Sequence, residues 1–188
     1  MITVRRSRGA ATAGTVMSLI GLILSACVSQ QAYNALEADY NQLNQQLSGE
    51  VAQQQVRITR LQGAIKVAVN SDLLFPSGSW QMPPQAAQLI SRMAPILAPF
   101  QQTKVIVTGY TDNVPVGPEL RAQGVDNNQQ LSLRRAQTVA NFLVSQGVNP
   151  NLVSAQGLGD ADAVAPNDTP QGRAQNRRVE LTLAGPGT

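Results

Sequence analysis

The sequence predicts an α/β fold of the α+β sandwich type, a mixed sheet with helices packed on it, preceded by a helical stalk. Three observations predict it. From residue 64 onward, stretches of period-two alternation take turns with stretches of helical spacing. Ahead of them, apolar residues recur in steps of three and four through a Gln/Asn-rich segment. At the very start, three arginines precede a short apolar run. A chain of 188 residues has room for one compact domain plus such extra segments.

Taken in order, Arg5, Arg6 and Arg8 form a positive region, and TVMSLIGLILSAC an apolar run too short to span a bilayer comfortably. This reads as a signal peptide over 1–26. Its last residues, LSAC, resemble the lipobox of bacterial lipoproteins, and that resemblance implies that Cys27 is lipidated and becomes the mature N-terminus. Val28 rather than Asp follows, which the same resemblance takes as permitting sorting to the outer membrane, facing the periplasm. Of 14 basic and 11 acidic residues, three arginines and no acid fall in the signal, so the mature chain has balanced charge. Basicity belongs to the signal, and nucleic acid is not an expected partner.

Residues 27–63 are expected to form a lipidated N-terminus and a coiled-coil-like helical stalk. Leu36, Tyr40, Leu43, Leu47, Val51, Ile58, Leu61 and Ile65 trace a heptad-like seam with a stutter, interrupted by Gln54. Helical throughout, residues 32–62 would extend about 46 Å. The seam suits a homo-oligomeric coiled coil, or a lone amphipathic helix lying along another envelope protein or the chain's own domain.

The domain is expected over 64–188. AIKVAVN (64–70) alternates as a half-buried strand does, and Pro76 and Gly78 punctuate its exit. Pro83-Pro84 suits a helix start, and Pro95 must kink or end that helix. TKVIVTGY (103–110) is a β-branched strand, followed by a long loop from Asn113 to Gln130. Ser132 is the expected N-cap of the next helix, whose apolar face is Ala136, Val139, Ala140 and Leu143. LVSAQGLG (152–159) and RRVELTL (177–183) complete the strands, the latter with Val179, Leu181 and Leu183 on one face.

The candidate chemistry lies where the second of these strands ends, at Thr111, Asp112 and Asn113. Strand ends of this kind border binding crevices in α/β sheets. Across the long loop, Arg135 is the third helical residue if Ser132 is the cap. It would then lie beside free backbone N–H groups that favour anions. An anionic Asp112 facing a cationic Arg135 makes a two-pole site for a zwitterionic amino-acid group. From spacing alone, a plain salt bridge between the same two residues that closes the loop is the favoured reading. Arg177 and Arg178 fall on opposite faces of the last strand, as structural partners for Asp160, Asp162 or Asp168. With no histidine and one cysteine, thiolate–imidazole zinc clusters and histidine-based catalysis are excluded. No cofactor is expected, and an enzyme is a poor reading.

TGYTDN, NQQLSLRRAQTV and NDTPQGRAQNRRVEL, in that order, resemble the OmpA-like domain over residues of about 65 to 184. The resemblance implies non-covalent binding of the diaminopimelate of the peptidoglycan stem peptide. It places the binding aspartate on Asp112 and the arginine on Arg135, with Thr111, Asn113 and Asn128 as secondary contacts. Tyr110 stands where members often have His, and Pro76 where many carry Asp. TDNVPV resembles the loop of MotB-like stator domains, but residues 1–30 contain no acid that could accept a proton. The function implied is an outer-membrane lipoprotein tethering that membrane to the cell wall. The alternative is an envelope scaffold or regulatory lipoprotein whose stalk binds another protein.

Overall fold

The structure, a computed structural model, describes the backbone of residues 16–185 and the side chains from Gln30 onward, Ala32 apart. Arg5, Arg6, Arg8 and the side chain of Cys27 therefore lie outside the described residues. Helix α1 runs Val16–Gln46 and a short α2 follows at Ser48–Ala52. Then come β1 Val56–Leu61, β2 Ala64–Asn70, α3 Ser71–Leu74, α4 Pro84–Ser91 and α5 Ala94–Leu97. After β3 Lys104–Gly109 come α6 Pro118–Ala122, α7 Asn128–Ser145, β4 Val153–Gly157, α8 Pro170–Asn176 and β5 Arg178–Ala184. Among the described residues no helix is long and apolar enough to cross a membrane.

The five strands form one sheet in the order β1-β2-β5-β3-β4. β3 and β4 are parallel, joined through α6 and α7, and every other neighbouring pair is antiparallel. The register stacks Val69, Val179 and Gly109, then Val67, Leu181 and Val107, then Ile65, Leu183 and Val105. These rows face the helices and, with Ile90, Met93, Leu97, Val139 and Leu143, make the core. The opposite face carries Lys66, Arg178, Glu180 and Thr182, as the period of two requires. The α+β sandwich is thus a mixed sheet with helices over one face.

The stalk expected over 27–63 is corrected in two ways. Its helical pattern holds through α1 and α2, but residues 56–61 are an edge strand of the sheet. Gln54 sits at φ 58°, which breaks the helix. The pair Gln62–Gly63, with Gly63 at φ 74°, then turns β1 back onto β2 as a two-residue hairpin. Ile58 fits the helical seam, but Val56 and Ile58, two residues apart, share one face only in a strand, and β-branched Thr59 favours the strand. The second correction concerns the seam. Leu43 and Leu47 are fully buried in the domain's own core, with Leu36, Tyr40, Val51 and Ile58 packed against it. An Arg60–Glu37 salt bridge at 2.6 Å and an Arg92–Glu50 pair fix the helix in place. Buried inside their own chain, Leu43 and Leu47 are not available to a second copy.

The loop expected from Asn113 to Gln130 is ordered around a small apolar cluster of Val116, Leu120, Val125 and Leu131, with Trp80 against it. Pro118 opens α6, where its missing N–H costs nothing. The motif ending in Asn176 is a staple. Its fully buried amide accepts from the N–H groups of Val164 and Ala165 and donates to Ala165 O and Asn167 Oδ1.

Candidate functional site

Two glycines bring the site together. A Cβ on Gly109 would lie 2.1 Å from Ser132 O, and one on Gly157 2.3 Å from Leu133 N. Only bare backbone lets α7 press this closely on the ends of β3 and β4. Ser132 is not the helix cap. It is fully buried inside α7, donating to Gln129 O and accepting from Gly159 N–H at 2.9 Å. The cap is Asn127, whose side chain accepts from Gln130 N–H at 2.9 Å. Asparagine caps as well as serine does, but the polar run Asn127–Gln130 hides the helix start from apolar periodicity.

Arg135 is therefore in the third turn of α7 rather than the first. It reaches the cleft because helical side chains lean toward the N-terminus. It is 5 % exposed, its Nε donates to Ser79 O at 2.9 Å, and its guanidinium lies 5.4 Å from the centre of the Phe75 ring. Burial pulls its pKa down from the ordinary arginine value, against the fields of Asp72 and Asp112. Among the described residues no carboxylate pairs with it. The Asp112–Arg135 salt bridge is not formed.

Asp112 pairs instead with Arg177. Its Oδ2 accepts from Arg177 Nη1 at 2.8 Å, and its Oδ1 from Val114 N–H at 3.1 Å, a turn of the kind aspartate makes. Asn128, first residue of α7, donates its side-chain amide to Asp112 O at 3.1 Å. Thr111 donates its N–H to Gly159 O at 2.7 Å and its hydroxyl to Asp112 O at 2.8 Å. Asn113 is exposed and does not line the cleft.

Arg177 is the site residue that sequence reasoning missed. Besides Asp112 it holds Asp72 through two bonds, Nε–Oδ1 at 3.0 Å and Nη2–Oδ2 at 2.7 Å. The bonds to Asp72 first, and then to Asp112, raise its pKa above the usual arginine value. Arg178, on the other face as expected, does not pair with Asp160, Asp162 or Asp168 through a carboxylate. It binds Glu180 at 2.8 Å and the carbonyl of Asp162, and stacks 3.7 Å from the Tyr110 ring centre. The cleft has a volume of about 740 Å³. Asp72, Asp112, Arg135, Arg173 and Arg177 bring both charge signs to its wall.

Residues 74–177 match the OmpA family, a span that runs from α3 to the arginine at the cleft. The chain belongs to the OmpA family. A relative within reach of this OmpA-family chain is Probable lipoprotein YiaD of Escherichia coli, 38% identical over 129 residues, 69% of this chain and 55% of that protein. Peptidoglycan-binding protein ArfA of Mycobacterium tuberculosis is 34% identical over 123 residues, 65% of this chain and 35% of that one. The chain thus spans about half or less of these two relatives. Among solved structures, the cell wall anchor of the T6SS from Pseudomonas aeruginosa superposes with a TM-score of 0.69 at 33% identity. It covers 76% of this chain and 96% of that one. The periplasmic domain of Helicobacter pylori MotB gives 0.62 at 27%, covering 70% and 80%. The OmpA-family span begins two residues after Asp72, so family resemblance does not point to that carboxylate.

Proposed function

We infer that the domain binds peptidoglycan non-covalently by holding the diaminopimelate residue of its stem peptide in this cleft. Asp112 takes the ammonium group and Arg135 the carboxylate. The observation that carries this reading is the state of Arg135. A guanidinium that is 5 % exposed, with Nε committed to a carbonyl and no carboxylate partner among the described residues, leaves its Nη groups for an incoming anion. Its planar fork matches a carboxylate in bidentate fashion. Thr111 and Asn128 act through Asp112, fixing the backbone that presents it.

The names of ArfA and of the Pseudomonas cell wall anchor support the same ligand class. The lipoprotein name of YiaD supports an anchor at Cys27 in the outer membrane, facing the periplasm, after removal of residues 1–26. Together these support the reading of a tether between that membrane and the cell wall, a binding protein rather than a catalyst. The reading in which the stalk seam grips another envelope protein is the weaker one, because the domain covers that seam itself.

Co-sedimentation of the full chain with peptidoglycan tests the reading, for the wild type, Asp112→Ala and Arg135→Ala. Either variant is expected to lose at least about tenfold in affinity, as truncating one partner of a buried charge pair does. Unchanged sedimentation of both variants overturns the site.

A further inference from the structure

The seat assigned above to the ligand's ammonium is held in the structure by a cation of the chain itself. Arg177 Nη1 lies 2.8 Å from Asp112 Oδ2, and Asp112 has its other oxygen on Val114 N–H. An ammonium group cannot gain Asp112 as its own partner unless this contact gives way. The same guanidinium has a second partner that can keep it. Asp72 grips Nε and Nη2 with both carboxylate oxygens, at 3.0 and 2.7 Å. Losing Asp112 costs Arg177 one hydrogen bond of three and leaves its charge paired.

Counting charges shows what completes the cleft. Asp72, Asp112, Arg135 and Arg177 sum to zero, as do Glu119 and Arg173 on the same wall, yet the pairing among the four is uneven: Arg177 has two carboxylates and Arg135, among the described residues, has none. A zwitterion evens it out. Its carboxylate joins Arg135, its ammonium joins Asp112, and Arg177 stays with Asp72, one partner for each charge. A ligand with an ammonium alone would leave Arg135 unpaired in its buried place, a costly arrangement.

We propose that Asp72 and Arg177 form a counter-ion exchange device: Arg177 occupies the ammonium seat on Asp112 in the free protein and is handed over to Asp72 when the zwitterion binds. The inference rests on the reading of Asp112 as the ammonium seat. It makes Arg177 a competitor of the ligand and Asp72, outside the span that matches the family, a residue that sets affinity without touching the ligand.

The test measures binding of meso-diaminopimelate to the full chain by calorimetry for the wild type, Arg177→Gln, Asp72→Asn and the double variant. Arg177→Gln removes the competitor and is expected to bind roughly two- to fivefold tighter, the size of a partly exposed ion pair. Asp72→Asn, which leaves Arg177 only Asp112 to pair with, is expected to bind weaker by a similar factor. With the competitor absent, Asp72→Asn added to Arg177→Gln is expected to change nothing further. Arg177→Gln binding weaker than wild type overturns the exchange, because the arginine is then a support or a direct ligand contact. A measurement on the wild type alone covers the case in which a variant does not fold. Arginine side-chain NMR should show the Nη groups of Arg177 shifting on saturation while its Nε–H stays bonded to Asp72; an unmoved Nη signal also overturns the exchange. Failure of the underlying reading looks different: the wild type would not bind the probe, or Asp112→Asn and Arg135→Gln would bind it as the wild type does.

Discussion

Arg177 and Arg178 are chain neighbours with separate roles, because consecutive residues at a strand start leave on opposite sides of the sheet. Arg178 stays on the outer face, where Glu180 takes its Nε at 2.8 Å and Lys66 Nζ lies 2.9 Å from the other Glu180 oxygen. Burial pushes the Glu180 carboxyl up, but hydrogen bonds from Arg178 and Lys66 outweigh it and hold the pKa below the ordinary glutamate value. A depressed carboxylate stabilises the fold above its unfolded value, and that contribution is lost as pH falls through the folded one. Wild type is therefore expected to lose stability as pH drops below about 4.3, the ordinary glutamate value. Glu180→Gln should be less stable by about 3 kcal/mol at neutral pH, since it strands a buried guanidinium. The gap between the two should narrow on acidification, as measured by urea unfolding at several pH values; a constant gap rejects the assignment. At this scale the site was half legible in the sequence. Asp112 stands out at a strand end, and Arg135 through its helix and the family motif. Arg177 was hidden because both of its partners are far off, Asp112 by 65 positions and Asp72 by 105. No spacing rule reaches that far, and nearer acids at 160, 162 and 168 offered themselves first.

At the scale of elements, what could be read depended on how one-sided the pattern was. β2, β3, β4 and β5 lie within one or two residues of their predicted stretches, since each turns apolar residues toward the helices and largely polar or small ones to the other face. β1 reads as helix in the sequence because Ile58 and Leu61 continue a three-and-four spacing begun in α1, with Gln54 at the position between, while the turn that ends the helix carries no proline. The start of α7 was placed late for the opposite reason, its first turn being polar. The contact of α7 with β3 is what aligns Arg135 with Asp112, and Gly109 permits it. Gly109→Ala would drive a methyl into Ser132 O, so α7 must move away from the sheet. The expected cost is about 1–3 kcal/mol, the usual penalty of overpacking, together with weaker binding of meso-diaminopimelate. Gly49→Ala serves as the control, because nothing lies within 4 Å of a Cβ there and α2 does not line the cleft. Thermal melts and calorimetry on both variants check this; equal effects of the two substitutions would show that close approach at Gly109 is not what sets the site.

The whole molecule folds around more than its family-matched span. Residues 74–177 leave out β1, β2, β5 and the helical segment whose Leu43 and Leu47 close the core. A boundary at residue 64, where alternation becomes visible in the sequence, would cut between the two strands of a hairpin. A chain starting there keeps β2 but loses Val56, Ile58, Leu43 and Leu47 from the core, and it bares the backbone edge of β2. Each buried aliphatic side chain of this size contributes about 1.5–3 kcal/mol, and a domain's entire stability is about 5–15 kcal/mol. Losing the cover of four such residues is of the order of the whole margin, and an unpaired strand edge invites association. The expected outcome is that residues 34–188 unfold cooperatively in urea as a monomer, with α1 docked on its own domain. Residues 64–188 should show a much lower midpoint, or aggregate. Urea titration and light scattering on the two chains decide it. Equal midpoints would mean that α1 and β1 are appendages, and the seam from Leu36 to Val51 would again be free for a partner.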